Sequence, residues 1–295
     1  MSQQKSQLNG YTELVGLMAY PIRHTQSPRM HNEAFAQLGY NIIQLAFEVD
    51  QTTLADAVQS IRALKMRGSN VSMPNKTVVH QYLDEIDRAA ELCGAVNTIV
   101  NRDGKLIGYN TDGMGYMKAL EDKGFDVIGK KMTIVGGGGA ATAIQIQAAL
   151  QGVKEISIFN KRDAFWPNIL QTVETIRTHT DCKAELYDLD DQKTLREQIE
   201  DSVLFANATN LGMKPMEGMC CLPDESYLRP DLLVTDVVYA PPKTPLLEMA
   251  ERVGCRWMNG LNMMLFQGSA AFELWMGQPM PIGHMKRFLG IEDGK

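Results

Sequence analysis

The stretch VSMPNK, Val71 to Lys76, ends an apolar run with a proline and sets a lysine where a helix is expected to open. An ammonium in a helix's first turn lies near the positive end of the helix dipole, which is unfavourable. Either that side chain swings out into water or its charge is put to use. Other polar positions in the first half bear on the choice: Thr25 and Ser27 in HTQSP, Ser72 in VSMPNK, Asn97 in VNT and Asp112 in YNTDG. Each alone reads as a turn or cap residue, with Asp112 suited to cap a helix starting near Met114. Together they recur beyond strand ends, where open α/β sheets collect their functional groups.

A second chemistry-bearing segment is MTIVGGGGAATAI. Gly136, Gly138 and Ala141 form GxGxxA directly after a strand and directly before a helix. The first glycine permits a tight turn, the second lets backbone approach a pyrophosphate, and the small third residue allows close helix–strand packing. The helix N-terminus then offers unpaired N–H groups and a favourable dipole to phosphate. Gly136, Gly137, Gly138, Gly139, Ala140 and Ala141 are therefore assigned to cofactor binding. The next strand ends in FNKRD, where Asp163 is placed to accept hydrogen bonds from an adenosine ribose and to repel a 2′-phosphate. Lys161 and Arg162 pull the other way. The expectation is NAD favoured, with NADP tolerated.

Two runs of alternating elements must position these groups. In the first, strands are expected at Glu13 to Met18, Ile42 to Glu48 and Ser69 to Ser72. A helix opens at Ser27-Pro28, with Ser27 as its cap, and an amphipathic helix covers Thr53 to Leu64. Strand–helix alternation with short connections implies parallel pairing. Asp103-Gly104, between two β-rich runs, signals a hairpin. In the second, strands are expected at Met132 to Val135, Glu155 to Phe159, Ala184 to Tyr187, Val203 to Ala206 and Leu233 to Val237, with a helix through Gln151 and another near Asn168 to Thr178. From Leu261 the chain is helical and apolar.

Bulk properties exclude several classes. The 295 residues suffice for two domains. A hydrophobic share of 44% and a charged share of 22% are those of a soluble globular protein, and a net charge of −6 argues against nucleic-acid binding through a basic face. The opening MSQQKSQLNGYTE has no signal-like apolar core, and no stretch has the length of a membrane span. Five cysteines without CxxC read as thiols of a reducing cytoplasm, the expected location. The five histidines lack metal-ligand spacing, so no metal is expected.

The segments YPIRHTQSPRMHNEAF, GSNVSMPNK, CGAVNTIV, GYNTDG, VGGGGAATA and NGLNMMLFQGSAAFELWMG resemble, in order and over nearly the whole chain, those of the shikimate dehydrogenase family. VSMPNK and NKRD are most similar to its quinate/shikimate dehydrogenase branch. The resemblance implies an α/β chain of two domains. One is a parallel-sheet-based substrate domain, residues 1–113 completed by returning helices 261–295; the other is a Rossmann-type doubly wound dinucleotide-binding domain, residues 114–260. It implies reversible hydride transfer between NAD(P) and the ring alcohol of shikimate or quinate. Lys76 and Asp112 would be the catalytic pair. Thr25 and Ser27 would hold the ring carboxylate, while Ser72, Asn97 and Gln267 would contact ring hydroxyls or that carboxylate. Asn160, Arg162, Asp163 and Gly260 would join the glycine loop at the dinucleotide. Thr25 departs from the family's usual serine, which keeps the hydroxyl but crowds the site with a methyl. The small-molecule substrate is the expected partner, with no nucleic acid or membrane, and the chain is expected as a monomer or homodimer. A different class, a non-catalytic metabolite-binding regulatory protein of the same fold, is separated from the enzyme by retention of both Lys76 and Asp112.

Overall fold

The computed structural model describes residues 8–291. The chain forms two compact units, one from residues up to 111 together with those from 267, the other from residues 112–266.

The first unit opens with β1 (Glu13–Ala19), α1 (Ser27–Gln37), β2 (Ile42–Glu48), α2 (Leu54–Ala63) and β3 (Gly68–Val71). The face of α2 that carries Leu54, Val58 and Ile61 is buried, in agreement with its apolar spacing. Full burial of such a side chain is worth about 1.5–3 kcal/mol, which offsets part of the entropy cost of ordering the helix. After a 3-10 turn at Val79–Tyr82 come β4 (Glu85–Ile86), α3 (Arg88–Cys93), β5 (Thr98–Arg102) and β6 (Lys105–Tyr109). The sheet order is β2-β1-β3-β5-β6-β4. β1 pairs parallel with β2 and β3, whereas β3–β5 and β5–β6 are antiparallel. The sheet is therefore mixed. Its hairpin closes between Arg102 and Lys105, with Asp103 and Gly104 at φ 52° and 94°, the left-handed pair a two-residue turn requires.

The second unit contains α4 (Thr111–Asp122) beyond its first residue, then β7 (Lys131–Val135), α5 (Gly139–Leu150), β8 (Glu155–Asn160), α6 (Trp166–His179), β9 (Lys183–Asp188), α7 (Gln192–Glu200), β10 (Leu204–Asn207), β11 (Leu233–Asp236), α8 (Pro245–Val253) and β12 (Arg256–Met258). All strand pairs are parallel, in the order β12-β11-β10-β7-β8-β9. The order reverses between β7 and β10, the switch point at which doubly wound sheets bind ligands. Met132 to Val135 and Ile156 to Asn160 are buried without alternation, as expected of strands covered on both faces.

The chain then enters α9 (Gly260–Met276), whose part from Gln267 belongs to the first unit with α10 (Ile282–Leu289). Trp275 is buried and donates from Nε1 to the Ile99 carbonyl at 3.0 Å. Its indole occupies the space a side chain at Gly68 would need: a Cβ there would lie 2.6 Å from Nε1. Phe272 stacks on Phe35 of α1 at 5.2 Å. Both divisions between the units fall inside helices, after Thr111 in α4 and after Phe266 in α9.

Candidate active site

In the first unit, the sheet directs four connections to one edge. β1 and β3 run parallel, so the segments after Ala19 and Val71 emerge together. β5 is antiparallel to β3, which brings Asn97, just before it, to the same edge; β6 returns there and delivers Asn110 and Thr111. Backbone hydrogen bonds fix these segments to each other. Val71 N donates to Asn97 O (2.8 Å), Val96 N to Lys76 O (2.8 Å), and Tyr20 N to Met73 O (3.1 Å). The buried Asn97 accepts at Oδ1 from Thr111 N (2.8 Å) and from Thr111 Oγ1 (3.1 Å). Asp112 is the next residue, in the first turn of α4, where a carboxylate is favoured by the helix dipole. It lies one position inside the helix rather than capping it.

Lys76 is not in a helix. Residues 73–78 form consecutive turns that lead into the 3-10 segment. Asn75 N donates to Ser72 O, Val78 N and Val79 N both donate to Asn75 O, and Asn75 Nδ2 donates to Val49 O at 2.7 Å. The β-branched run Thr77-Val78-Val79 disfavours α-helix, with Val79 buried in the core. The dipole argument for this lysine therefore falls. What holds its position is the bond to Val96 and the side-chain anchor of Asn75.

Ser27 is the first residue of α1, and Pro28 lies in that first turn. The N-cap position falls on Gln26 without a side-chain cap, and Thr25, one residue earlier, makes a local contact instead: its Oγ1 accepts from Ser27 N at 3.3 Å and lies 3.4 Å from Ser27 Oγ. Two hydroxyls thus face each other at a helix N-terminus, a donor arrangement suited to an anion. At the other side of α1, Gly268 closes against Met30 and His31, which places the backbone of Gln267 next to that helix.

In the second unit, a cavity of about 500 Å³ lies over the carboxyl ends of β7, β8, β10 and β11. Gly136 has φ +128°, and a Cβ on it would lie 2.7 Å from the Ala208 carbonyl oxygen. Gly137 packs against Ile169 of α6, while Gly138 and Gly139 have open space where a Cβ would stand. A bulky polar ligand can thus approach the loop backbone. α5 begins at Gly139, and its first-turn N–H groups have no acceptors within the helix. Gln145 reaches back from α5 to donate to Gly136 O at 3.0 Å, which ties the loop to its helix. These features fit a dinucleotide's pyrophosphate.

Of the sequence-assigned cofactor residues, Gly136 to Ala140, Asn160 and Asp163 line this cavity. Ala141 is buried beneath it, as the helix-packing position requires. Arg162 is turned aside: its Nε donates to Asp188 Oδ2 at 2.8 Å, and its guanidinium stands 4.7 Å over the Trp166 ring. Asp163 Oδ1 accepts from Asn160 Nδ2 (3.0 Å) and Phe165 N (2.9 Å), so that the carboxylate staples its own loop. Gly260 stands behind the cavity wall, its N donating to Val238 O at 3.0 Å; a side chain there would strike the Val237 carbonyl.

Sequence reasoning missed the opposite wall, built from Thr209, Asn210 and Met213 after β10 and Val237, Val238 and Tyr239 after β11. Asp236 organises it. Oδ1 accepts from Asn207 Nδ2 (3.1 Å) and Val238 N (2.9 Å), and Oδ2 accepts from Thr244 Oγ1 (2.7 Å), the cap of α8. Burial pushes this carboxyl up to about 6 against those bonds. The signal was the position of NATN and DVVY at the carboxyl ends of two expected strands. Among the described residues, no group of three or more His, Cys, Asp or Glu side chains could hold a metal, and no helix is long and apolar enough to cross a membrane.

Fold and pocket together define a two-domain protein with a Rossmann-type dinucleotide-binding unit. The family model described as the shikimate dehydrogenase substrate binding domain matches residues 17–99, and that of the shikimate 5′-dehydrogenase C-terminal domain matches residues 260–287. The chain is 60% identical over 282 residues to shikimate dehydrogenase (NADP(+)) of Listeria monocytogenes serotype 4b, covering 96% of this chain and 97% of that one. It is 52% identical over 291 residues to the enzyme of the same description from Streptococcus uberis, covering 98% and 99%. The crystal structure of Listeria monocytogenes shikimate 5-dehydrogenase in complex with shikimate and NAD superposes with a TM-score of 0.94 at 60% identity, covering 96% of this chain and 98% of that one. The chain belongs to the shikimate dehydrogenase family of oxidoreductases, which act on a CH–OH group. An expected preference for NAD over NADP finds no support in these relatives, two of which are described by NADP(+).

Proposed function

We propose that the chain catalyses the reversible oxidation of shikimate to 3-dehydroshikimate, with NADP or NAD as hydride carrier. The observation that carries this reading is the near-full-length identity to a dehydrogenase whose structure holds shikimate and NAD. Quinate, oxidised to 3-dehydroquinate, is the second substrate to test, on the resemblance of VSMPNK and NKRD to the quinate/shikimate branch. Its setting is a reducing compartment such as the cytoplasm, in keeping with five free cysteines.

The dinucleotide, held by the glycine loop and the walls after β10 and β11, supplies a hydride acceptor or donor when bound. Lys76 takes the alcohol proton in the oxidative direction. In reduction it returns that proton and stabilises the negative charge developing on the ketone oxygen. Asp112 orients the lysine. Thr25 and Ser27, at the start of α1, hold the ring carboxylate, with Ser72, Asn97 and Gln267 on the ring hydroxyls or that carboxylate. Support for this division comes from the sheet edge that gathers Thr25, Ser27, Ser72, Lys76 and Asn97, and from the bonds that tie Lys76 and Thr111 to the Asn97 segment.

The test is a dinucleotide-absorbance assay crossing shikimate and quinate with NADP and NAD. Turnover of shikimate with either cofactor is expected. Tight binding of shikimate with no turnover under any combination would instead favour a regulatory metabolite-binding protein.

A further inference from the structure

His31 is fully buried, yet both of its ring nitrogens face oxygen atoms that accept hydrogen bonds. Nδ1 lies 2.8 Å from Gln44 Oε1 and Nε2 lies 3.0 Å from Gly268 O. Gln44 cannot simply turn its amide over, because its Nε2 donates to Asn70 Oδ1 (2.9 Å) and Gly16 O (3.3 Å). Asn70 is oriented in turn, its Nδ2 donating to Thr98 Oγ1 (3.2 Å) and Asn97 O (3.4 Å). Thr98 Oγ1 ends the line on Asn97 Oδ1 at 3.0 Å. The whole series is buried. A buried polar line of this kind fixes geometry, since each member left unpaired costs free energy.

Burial also holds the imidazole below its ordinary pKa, and a neutral ring carries one N–H for the acceptors offered by Gln44, Gly268 and the Ser27 backbone. The proton on Nδ1 closes the line to Gln44 and leaves a lone pair against Gly268. The proton on Nε2 grips α9 and leaves the lone pair against Gln44. The two ends of this choice are a helix position adjoining Gln267 and a sheet position adjoining Asn97.

We propose that His31 is a positioning residue for substrate: through the Gly268 carbonyl it sets Gln267, and through Gln44, Asn70 and Thr98 it ties that setting to Asn97. The proposal rests on the reading of Gln267 and Asn97 as substrate contacts. His31 touches no substrate itself. It makes the two contacts answer to each other, so that a substrate engaging Gln267 is met by an Asn97 already in register.

Two variants separate the arms. His31→Asn retains a polar group near Nδ1 and loses the reach to Gly268, whereas His31→Gln retains the reach. His31→Asn is expected to raise KM for shikimate about tenfold, the worth of one well-placed buried hydrogen bond, with KM for the dinucleotide unchanged. His31→Gln is expected to restore most of that loss. In the Gln267→Ala background, His31→Asn is expected to add nothing further. If Gln267→Ala alone leaves shikimate KM unchanged, the reading of Gln267 fails and the proposal with it. If Gln267→Ala raises KM and His31→Asn multiplies it by the same factor in both backgrounds, the proposal alone is overturned. A measurement on the wild-type protein covers failure of the variants to fold. The ¹⁵N resonances of the His31 ring are expected to move on saturation with shikimate, and their standing still would overturn the proposal.

Discussion

Arg162 Nε donates to Asp188 Oδ2 at 2.8 Å, an ion pair that links the loop after β8 to the last residue of β9. The Asp188 carboxyl is held below its usual range, first by a bond from Asp190 N and then by this guanidinium. The basic side chain best suited to a ribose 2′-phosphate is thus already paired, while Asp163 is committed to its loop. If Arg162 reads the ribose as proposed, cofactor choice is a competition for it between a carboxylate and a phosphate. Asp188→Asn is expected to raise the NADP-to-NAD ratio of kcat/KM by about three- to tenfold, a surface-pair magnitude that shrinks with added salt. Steady-state kinetics with both cofactors, at low and high salt, reads it. An unchanged ratio would show that Arg162 does not select between them.

Asp236 makes a second prediction, on stability. Its carboxyl, pushed up to about 6 by burial, binds its proton in the folded chain at a pH where the unfolded chain has released it. Folding therefore gains protons between about pH 4 and pH 6, and the stability from this group falls as pH rises through that window. Ionisation of the 2%-exposed side chain costs on the order of 3 kcal/mol. Cys220, Cys221 and Tyr116 also lie within electrostatic reach of it. Asp236→Asn keeps an acceptor for Asn207 and Val238 and removes the titration. Thermal melts at pH 4.5 and 7.5 are expected to show the wild type losing several degrees relative to the variant at the higher pH. Parallel behaviour of the two proteins would contradict the assignment.

The glycine loop gives a third. Gly136 combines φ +128° with a carbonyl oxygen 2.7 Å from any added Cβ, and that oxygen belongs to Ala208, the start of the opposite cavity wall. Gly136→Ala must therefore move backbone on one side or the other. Dinucleotide affinity is expected to fall by about tenfold or more, while shikimate KM at saturating cofactor changes little. The melting temperature of Gly136→Ala, with and without dinucleotide, separates a loss of binding from a loss of folding. A wild-type dinucleotide affinity in Gly136→Ala would remove Gly136 from the cradle.

Much of this was legible in the letters. The glycine loop was readable because each position answers a steric demand local to one turn, and the Asp103-Gly104 hairpin because its turn requires left-handed residues. β12 was not: Arg256 to Met258 is three residues long and becomes a strand only because β11 lies beside it. α7 escaped notice because Leu195 and Ile199 are its only buried residues. α8 was passed over although it carried its signals openly, with Thr244 as cap, Pro245 in the first turn and Gly254 left-handed at the end. The misplacement of Lys76 in a helix has a different origin. A proline followed by a polar residue lies in the first turn of α1 and of α6, but here three β-branched residues and the Asn75 anchor to Val49 close the chain into turns. The His31 line was beyond sequence reasoning, since its members come from five elements, α1, β2, β3, β5 and α9.

Lys76 itself supplies the last prediction. Its backbone oxygen accepts from Val96 N, and Asn75 N–H and side chain close the turn around it, so removal of the ammonium leaves the local backbone bonds intact. Lys76→Ala is accordingly expected to fold with a melting temperature near that of the wild type. Its kcat for shikimate is expected to fall by about 10²- to 10⁴-fold, the range for loss of a positioned acid–base group. KM for shikimate should change far less, because the carboxylate is assigned to Thr25 and Ser27 at the start of α1 rather than to the lysine. Lys76→Arg separates charge from proton transfer: a guanidinium keeps the positive field but does not give up its proton. Recovery of turnover in Lys76→Arg would make the lysine an electrostatic group only, and near-normal kcat in Lys76→Ala would take it out of the chemistry.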